Sequence, residues 1–196
     1  MREGKARGRH LQWLVPVAIV LLVAVVARLF LTRREGDIPE VYPVDGVLDI
    51  TGMDLSQTVV NVNNSWDFYP NALYTSADFA SGGADRLPEG EGETRYGTYR
   101  LIIKAQPERY YTLCSYSIDY STRVFVNGVE AAGFGVVADN AAEGVPRIGY
   151  MTIPPYSGET GDIEVISQFS IFVHRDGGLI QLNYLASPQN AAESNA

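Results

Sequence analysis

The residues of this chain that could do chemistry favour binding over catalysis. Trp66 and Tyr69 carry flat rings that stack on the apolar faces of sugars, and both can donate a hydrogen bond. His174 and Arg175 stand at the end of a predicted strand, where they could hold a carboxylate or sugar hydroxyls. We therefore predict a ligand-binding site made by these four residues. The structural alternatives are core packing of the two rings and a histidine that fixes its own turn.

The sequence lacks the patterns of an enzyme or a metal site. His10 and His174 are its two histidines, so no histidine cluster is available for zinc. No Gly-x-Ser-x-Gly motif accompanies His174, and no pattern places two carboxylates together as a glycosidase needs. Acidic residues 85–93 could offer oxygen ligands to calcium, but their spacing is better explained by a solvated loop. We predict no enzyme activity, no catalytic residue, no metal and no cofactor.

The elements that must position a site are predicted to be strands. Residues 99–105, 110–120 and 163–173 each alternate between an apolar face and a more polar one, which is typical of half-buried strands. Asn127-Gly128 predicts a hairpin turn, because both positions tolerate positive φ. Gly177-Gly178 predicts another turn. This pattern favours an all-β fold, an antiparallel β-sandwich or jelly roll.

The first 31 residues predict a membrane anchor. Residues 1–10 are basic, and residues 11–31 are apolar except for Gln12 and Arg28. As a helix, residues 13–31 would span about 28 Å, close to the hydrocarbon core of a bilayer at about 30 Å. We predict one transmembrane helix at 11–31, with residues 1–10 as a basic cytoplasmic stub and the folded domain extracytoplasmic. A cleaved signal peptide is the alternative.

The charge of the remaining chain excludes several partners. Residues 35–196 carry eight Lys or Arg against 22 Asp or Glu. Such a domain would be repelled by nucleic acid and by an anionic membrane surface. Cys114 is the sole cysteine, so no internal disulfide can form, and its apolar strand predicts a small buried side chain. The rest divides into a linker at 32–45, a folded domain at 46–186 and a disordered polar tail at 187–196.

Four segments carry a family resemblance. They are Asn64-Ser-Trp-Asp-Phe-Tyr-Pro-Asn-Ala-Leu73, Gly97-Thr-Tyr-Arg-Leu101, Val124-Phe-Val-Asn-Gly128 with Gly133, and Ser170 to Leu179. In order and spacing these segments resemble the extracellular sensor domain of bacterial seven-transmembrane receptors with diverse intracellular signalling modules. The resemblance implies a galactose-binding-like jelly roll over 46–186 that senses a ligand. In that family, seven membrane helices and an output module such as a histidine kinase follow, whereas this sequence ends at Ala196.

From these observations we expect an extracytoplasmic ligand-sensing domain of a membrane-bound bacterial signalling receptor. Its ligand would be a carbohydrate or a small polar metabolite. The expected partners are this ligand and the membrane, through residues 11–31, with no nucleic acid. The sequence leaves a homodimer open, and it leaves open whether the chain is the amino-terminal part of a longer receptor. The alternative function is a membrane-anchored carbohydrate-binding module without signalling output.

Overall fold

The computed structural model describes residues 16, 18–25, 28, 41–56, 58–63, 66–84, 94–117, 120–172 and 182–194. The chain divides into two compact units, Met1–Asp37 and Ile38–Ala196. In the first unit, the described residues 16, 18–25 and 28 are helical. Among the described residues, no helix has both the length and the apolar character needed to cross a membrane. The transmembrane helix at 11–31 therefore stays a prediction.

The second unit is built mainly of strands. Its described strands are β1 (Val47–Asp49), β2 (Val60–Asn61), β3 (Asp67–Pro70), β4 (Tyr96–Lys104), β5 (Thr112–Ser117), β6 (Ser121–Val126), β7 (Val129–Phe134), β8 (Gly149–Ile153), β9 (Asp162–Ser170) and β10 (Leu182–Ala186). Two short helices accompany them, α1 (Ser76–Ala80) and α2 (Pro188–Ser194). Helix α1 follows from local capping rather than from an apolar period. Thr75 and Asp78 form a capping box at the start of α1.

The strands form two sheets. Sheet A has the order β1-β4-β9-β6-β7, with β3 also paired to β4, and sheet B has the order β2-β10-β5-β8. Strand β1 runs parallel to β4. Strand β3 runs antiparallel to β4 and pairs with an earlier part of the same side of that strand. The other pairs are antiparallel. The prediction of an all-β fold is confirmed, and the two sheets agree with the predicted sandwich.

The main hydrophobic core joins residues of both sheets. Sheet A contributes Leu101 and Ile103 from β4 with Ile163 and Val165 from β9, while sheet B contributes residues such as Leu185. All five are fully buried. The predicted alternation in β4 is confirmed, because Arg100 and Lys104 lie on the opposite face and pair with carboxylates there. Burial of these aliphatic side chains supplies the main favourable free energy of the fold.

The outer face of sheet A is covered by the segment that contains α1. Thr98 on β4 accepts a hydrogen bond from Tyr74 N at 2.9 Å and donates one to Ala72 O at 2.7 Å. Gln168 on β9 donates to Tyr74 O at 2.9 Å. Both polar side chains are fully buried, so these bonds satisfy groups that would otherwise cost free energy.

Other sequence predictions meet the structure with mixed outcomes. The hairpin turn at Asn127-Gly128 is confirmed, with φ values of 49° and 81°. Cys114 is half-buried rather than buried, because it lies on the outer face of sheet B. Where we predicted a disordered tail, the structure contains α2, whose Ala191 N donates to Ser187 O. The Gly177-Gly178 turn and the acidic residues 85–93 lie outside the described residues.

Candidate functional site

The two aromatic residues predicted to bind a ligand lie in packed surroundings. Trp66 packs against the main core, and its Nε1 donates to Val62 O at 2.5 Å. Tyr69 is buried and packs edge-on against Tyr74 and Phe79, with ring centroids 5.7 and 5.0 Å away. The structure therefore places one ring against the core and the other beneath α1, and it does not bring them to a common surface. Their role in ligand binding stays a prediction.

The other two predicted site residues cannot be placed. His174 and Arg175 lie outside the described residues. Their role likewise stays a prediction.

One end of the second unit contains an open cleft, here called the end cleft. Its volume is about 720 Å³, and its walls are residues 51–56 after β1, residues 106 and 108–111 before β5, and residues 187–189 at the start of α2. That volume lies within the range of small-molecule sites, roughly 300–1,000 Å³. All three walls are connecting segments or ends of secondary-structure elements, and they meet at the same end of the two-sheet frame. Loops on a rigid scaffold are a frequent location for binding sites.

Ser157 fixes the wall before β5. Its hydroxyl is buried, accepts a hydrogen bond from Arg109 N at 2.9 Å and donates to Gln106 O at 2.7 Å. Two backbone bonds reinforce the contact, from Ser157 N to Arg109 O and from Glu108 N to Gly158 O. Residues 106–109 are thereby attached to a second loop near residue 157, some 50 positions later in the chain. This attachment reduces the conformational entropy of the wall in the free protein, so less entropy is lost when a ligand binds.

The wall after β1 is held by short-range hydrogen bonds. Thr51 N donates to Asp49 Oδ1 and Ser56 N donates to Asp54 Oδ1, each at 2.9 Å. The bonds from Ser56 hold the pKa of the Asp54 carboxyl below its ordinary value, and those from Thr51 do the same for Asp49. Asp54 is therefore ionised at neutral pH, and the residue is exposed.

The cleft combines one exposed aromatic ring with charges of both signs. Tyr110 is 61% exposed, and its ring lies 4.7 Å from that of Tyr156. Asp54 and Glu108 bring two carboxylates to the walls, and Arg109 brings a guanidinium. This arrangement can bind a polar ligand by stacking and hydrogen bonding. Among the described residues, no group of three or more His, Cys, Asp or Glu could hold a metal ion.

Sequence reasoning missed these residues because it assigned Tyr110 to a strand. Strand β5 begins at Thr112, and Tyr110 precedes it in an isolated bridge with Tyr156. A local signal was present, since Pro107 directly before two charged residues is typical of an exposed turn. The partner loop at Ser157 could not be read from the local sequence.

Comparison of the whole chain with protein-family models and with curated proteins finds no match.

Proposed function

We propose that the chain is an extracytoplasmic ligand-sensing domain of a membrane-bound bacterial signalling receptor. In this proposal Ile38–Ala196 is a jelly roll that takes a carbohydrate or small polar metabolite at the end cleft. The observation that carries the proposal is the cleft itself, an open cavity of about 720 Å³ whose walls hold an exposed aromatic ring and charges of both signs. Binding rather than catalysis is the role we assign to it.

The membrane part of the proposal is supported by the helical residues 18–25. Ile19, Val20, Leu21, Leu22 and Val23 are consecutive, so at 100° per residue they cover the whole circumference of the helix. Each of the five is more than half exposed. A helix that is apolar on all sides requires an apolar environment, and lipid is the environment that the basic residues 1–10 and the predicted span 11–31 favour.

The sensing mechanism we propose is a shift between two conformations that exist before the ligand binds. A ligand moves such an equilibrium only by its difference in affinity for the two states. At the end cleft this difference would arise if, in one state, the wall at 51–56 lies closer to the wall before β5, which Ser157 holds in place. The ligand would then favour that state through contacts to two separate segments of the chain.

Cysteine labelling tests the localisation. Cys114 is the sole cysteine, so Cys114→Ala gives a background in which Glu159→Cys or Gly4→Cys places one thiol in the exposed loop or near the amino terminus. A maleimide that cannot cross membranes should label Glu159→Cys in spheroplasts and Gly4→Cys only after lysis. Labelling of Glu159→Cys only after lysis would place the domain in the cytoplasm and refute the proposal.

The binding role is tested by nuclear magnetic resonance of the full chain in a detergent without a sugar headgroup. A panel of sugars, sugar acids, organic acids and amines is added to the isotope-labelled protein. We expect at least one compound to shift the resonances of residues 51–56 and 106–111. Shifts confined to other surfaces, or none with any compound, would refute the end cleft as the ligand site.

The outer face of sheet B favours the second candidate, an anchored carbohydrate-binding module. Tyr116 and Tyr150 are paired neighbours on β5 and β8, and Tyr184 on β10 pairs with Cys114 on β5. Tyr150 is exposed, and Tyr116 and Tyr184 are half-buried. A row of rings across three strands suits a long glycan chain better than a small metabolite.

Polysaccharide binding separates the two candidates. A module would bind an insoluble glycan such as cellulose, chitin or peptidoglycan, and Tyr116→Ala and Tyr150→Ala would each release the protein from it. A sensor that uses the end cleft would not be retained on these glycans through the tyrosines of sheet B.

A further inference from the structure

The end cleft has a defined aromatic surface. Tyr110 and Tyr156 form an isolated antiparallel bridge, so their side chains stand on the same side of the backbone. Tyr156 packs against the Tyr110 ring at a centroid distance of 4.7 Å and an angle of 35°. This contact fixes the orientation of a ring that remains largely exposed and lines the cleft. A fixed, exposed ring costs little entropy when a flat apolar surface stacks on it.

The polar groups around this ring are both donors and acceptors. Asp54 and Glu108 accept hydrogen bonds, and the side chains of Arg109, Gln106 and Gln189 can donate them. A hydroxyl group is donor and acceptor at once, so a ligand with many hydroxyls matches this mixture. An anionic ligand matches it less well, because the walls carry two carboxylates against one guanidinium and residues 35–196 carry 22 acids against eight basic residues.

The backbone at Glu108 is a second, independent observation. Its φ is 55°, in the left-handed region that glycine adopts without steric cost and that a residue with a Cβ enters at a cost. The sequence nevertheless has a glutamate here, exposed and on the wall of the cleft. Strained positions cluster at ligand sites, where the surrounding structure holds them in place. The surrounding structure thus holds Glu108 in place on the wall, where its carboxylate can accept hydrogen bonds from a ligand.

We infer that the end cleft binds a short neutral saccharide, which stacks on Tyr110 and donates hydroxyl hydrogen bonds to Glu108 and Asp54. This inference rests on the proposed function and names the ligand class of the same site. Arg109 and the two glutamine side chains donate to the remaining sugar oxygens. The ligand contacts both the wall after β1 and the wall before β5.

The test uses the full chain in lauryldimethylamine oxide and a defined set of probes. The neutral probes are glucose, galactose, mannose, N-acetylglucosamine, maltose and cellobiose. Glucuronate, choline and spermidine are the charged probes. Binding is followed by the resonances of cleft residues and by titration of each probe. We expect at least one neutral sugar to bind at the cleft and to bind more tightly than any charged probe.

Variants then identify the groups that contact the sugar. Tyr110→Ala, Glu108→Gln and Glu108→Gly should each lower the affinity for the sugar about 5- to 150-fold, the range for the loss of one good hydrogen bond or ring contact. Glu108→Gly should do so without lowering the melting temperature, because glycine relieves the positive φ. Glu159→Gln, in the neighbouring loop but outside the cleft walls, and Tyr150→Ala, on the outer face of sheet B, should change the affinity less than twofold.

The outcomes separate this inference from the proposed function. Cleft resonances that respond to choline, spermidine or glucuronate but to no neutral sugar would overturn the saccharide inference and leave a ligand-binding cleft. A sugar whose binding depends on Tyr150 and not on Tyr110 would overturn it in favour of the face of sheet B. If no probe of either kind shifted a cleft resonance, the inference and the cleft as a sensing site would both be refuted.

Discussion

Glu164 on β9 accepts a hydrogen bond at Oε1 from Arg100 Nε on β4 at 2.8 Å, and one terminal nitrogen of Arg100 forms an ion pair with the same oxygen at 2.8 Å. The other carboxylate oxygen accepts a bond from Ser76 in α1 at 2.5 Å. The guanidinium of Arg100 also lies 4.5 Å from the centroid of the Phe79 ring. This ion pair therefore connects α1 to the outer face of sheet A.

Removing one partner of this pair is expected to destabilise the domain. Arg100→Met should lower the free energy of unfolding by about 1–2 kcal/mol, because it leaves the part-buried Glu164 carboxylate without its cation. Lys104 and Asp162, on the same two strands, form a matched exposed pair at 2.7 Å. Lys104→Met should cost less than about 1 kcal/mol. Urea unfolding of both variants measures the difference, and equal losses would contradict the role of Arg100.

Trp66 is expected to matter for stability. Trp66→Ala should lower the free energy of unfolding by about 2–4 kcal/mol, since it removes a ring packed on the core and a hydrogen bond to Val62 O. Trp66→Phe, which keeps a ring and loses the bond, should cost less than half as much. Thermal and urea denaturation provide the measurement. An unchanged stability together with a loss of ligand affinity would instead support the ligand-binding role predicted from the sequence.

Two glycines with positive φ give a paired test of close packing. A Cβ on Gly161 would lie 2.4 Å from Ala105 O, whereas a Cβ on Gly158 would meet nothing within 4 Å. Gly158→Ala should cost about 1 kcal/mol for its backbone conformation alone. Gly161→Ala should cost at least about 2 kcal/mol, because the carbonyl must move. Comparable melting temperatures for the two variants would show that the Ala105 contact is unimportant.

The capping box of α1 predicts a pH dependence. Hydrogen bonds from Thr75 backbone and side chain hold the pKa of Asp78 below its ordinary value of 3.8. The ionised carboxylate therefore stabilises the folded state at neutral pH, and this contribution is lost as the pH falls below about 3.8. Asp78→Asn should be less stable than the parent chain at pH 7, and the difference should shrink at pH 3. A difference in stability that is constant between pH 7 and pH 3 would contradict this role.

Local patterns predicted the strands well because their signals lie within a few residues. Alternation placed Leu101 and Ile103 on one face, and Asn127-Gly128 marked the turn between β6 and β7. The parallel pairing of β1 with β4 was not predictable in this way. It joins Val47 to Ile102, so its stability depends on contacts between residues more than 50 positions apart.

The candidate site was less accessible to sequence reasoning for the same physical reason. Tyrosine is common in strands, so the sequence alone assigns Tyr110 to β5. Only the isolated bridge to Tyr156 shows that Tyr110 lies before that strand. Trp66 has the residue type of a sugar platform, and only its contact with the core shows how it is packed. Residue type alone did not reveal which aromatic rings would be exposed.

The attachment of residues 106–109 to Ser157 has a consequence for the timing of a response. A wall that Ser157 already holds through Gln106 O and Arg109 N needs no ordering of its own before a ligand can enter or leave. Association is then expected to approach the diffusion-influenced range, with release of a weakly bound sugar in milliseconds or less. A receptor with such a site would follow the present concentration of its ligand and keep little record of earlier exposure.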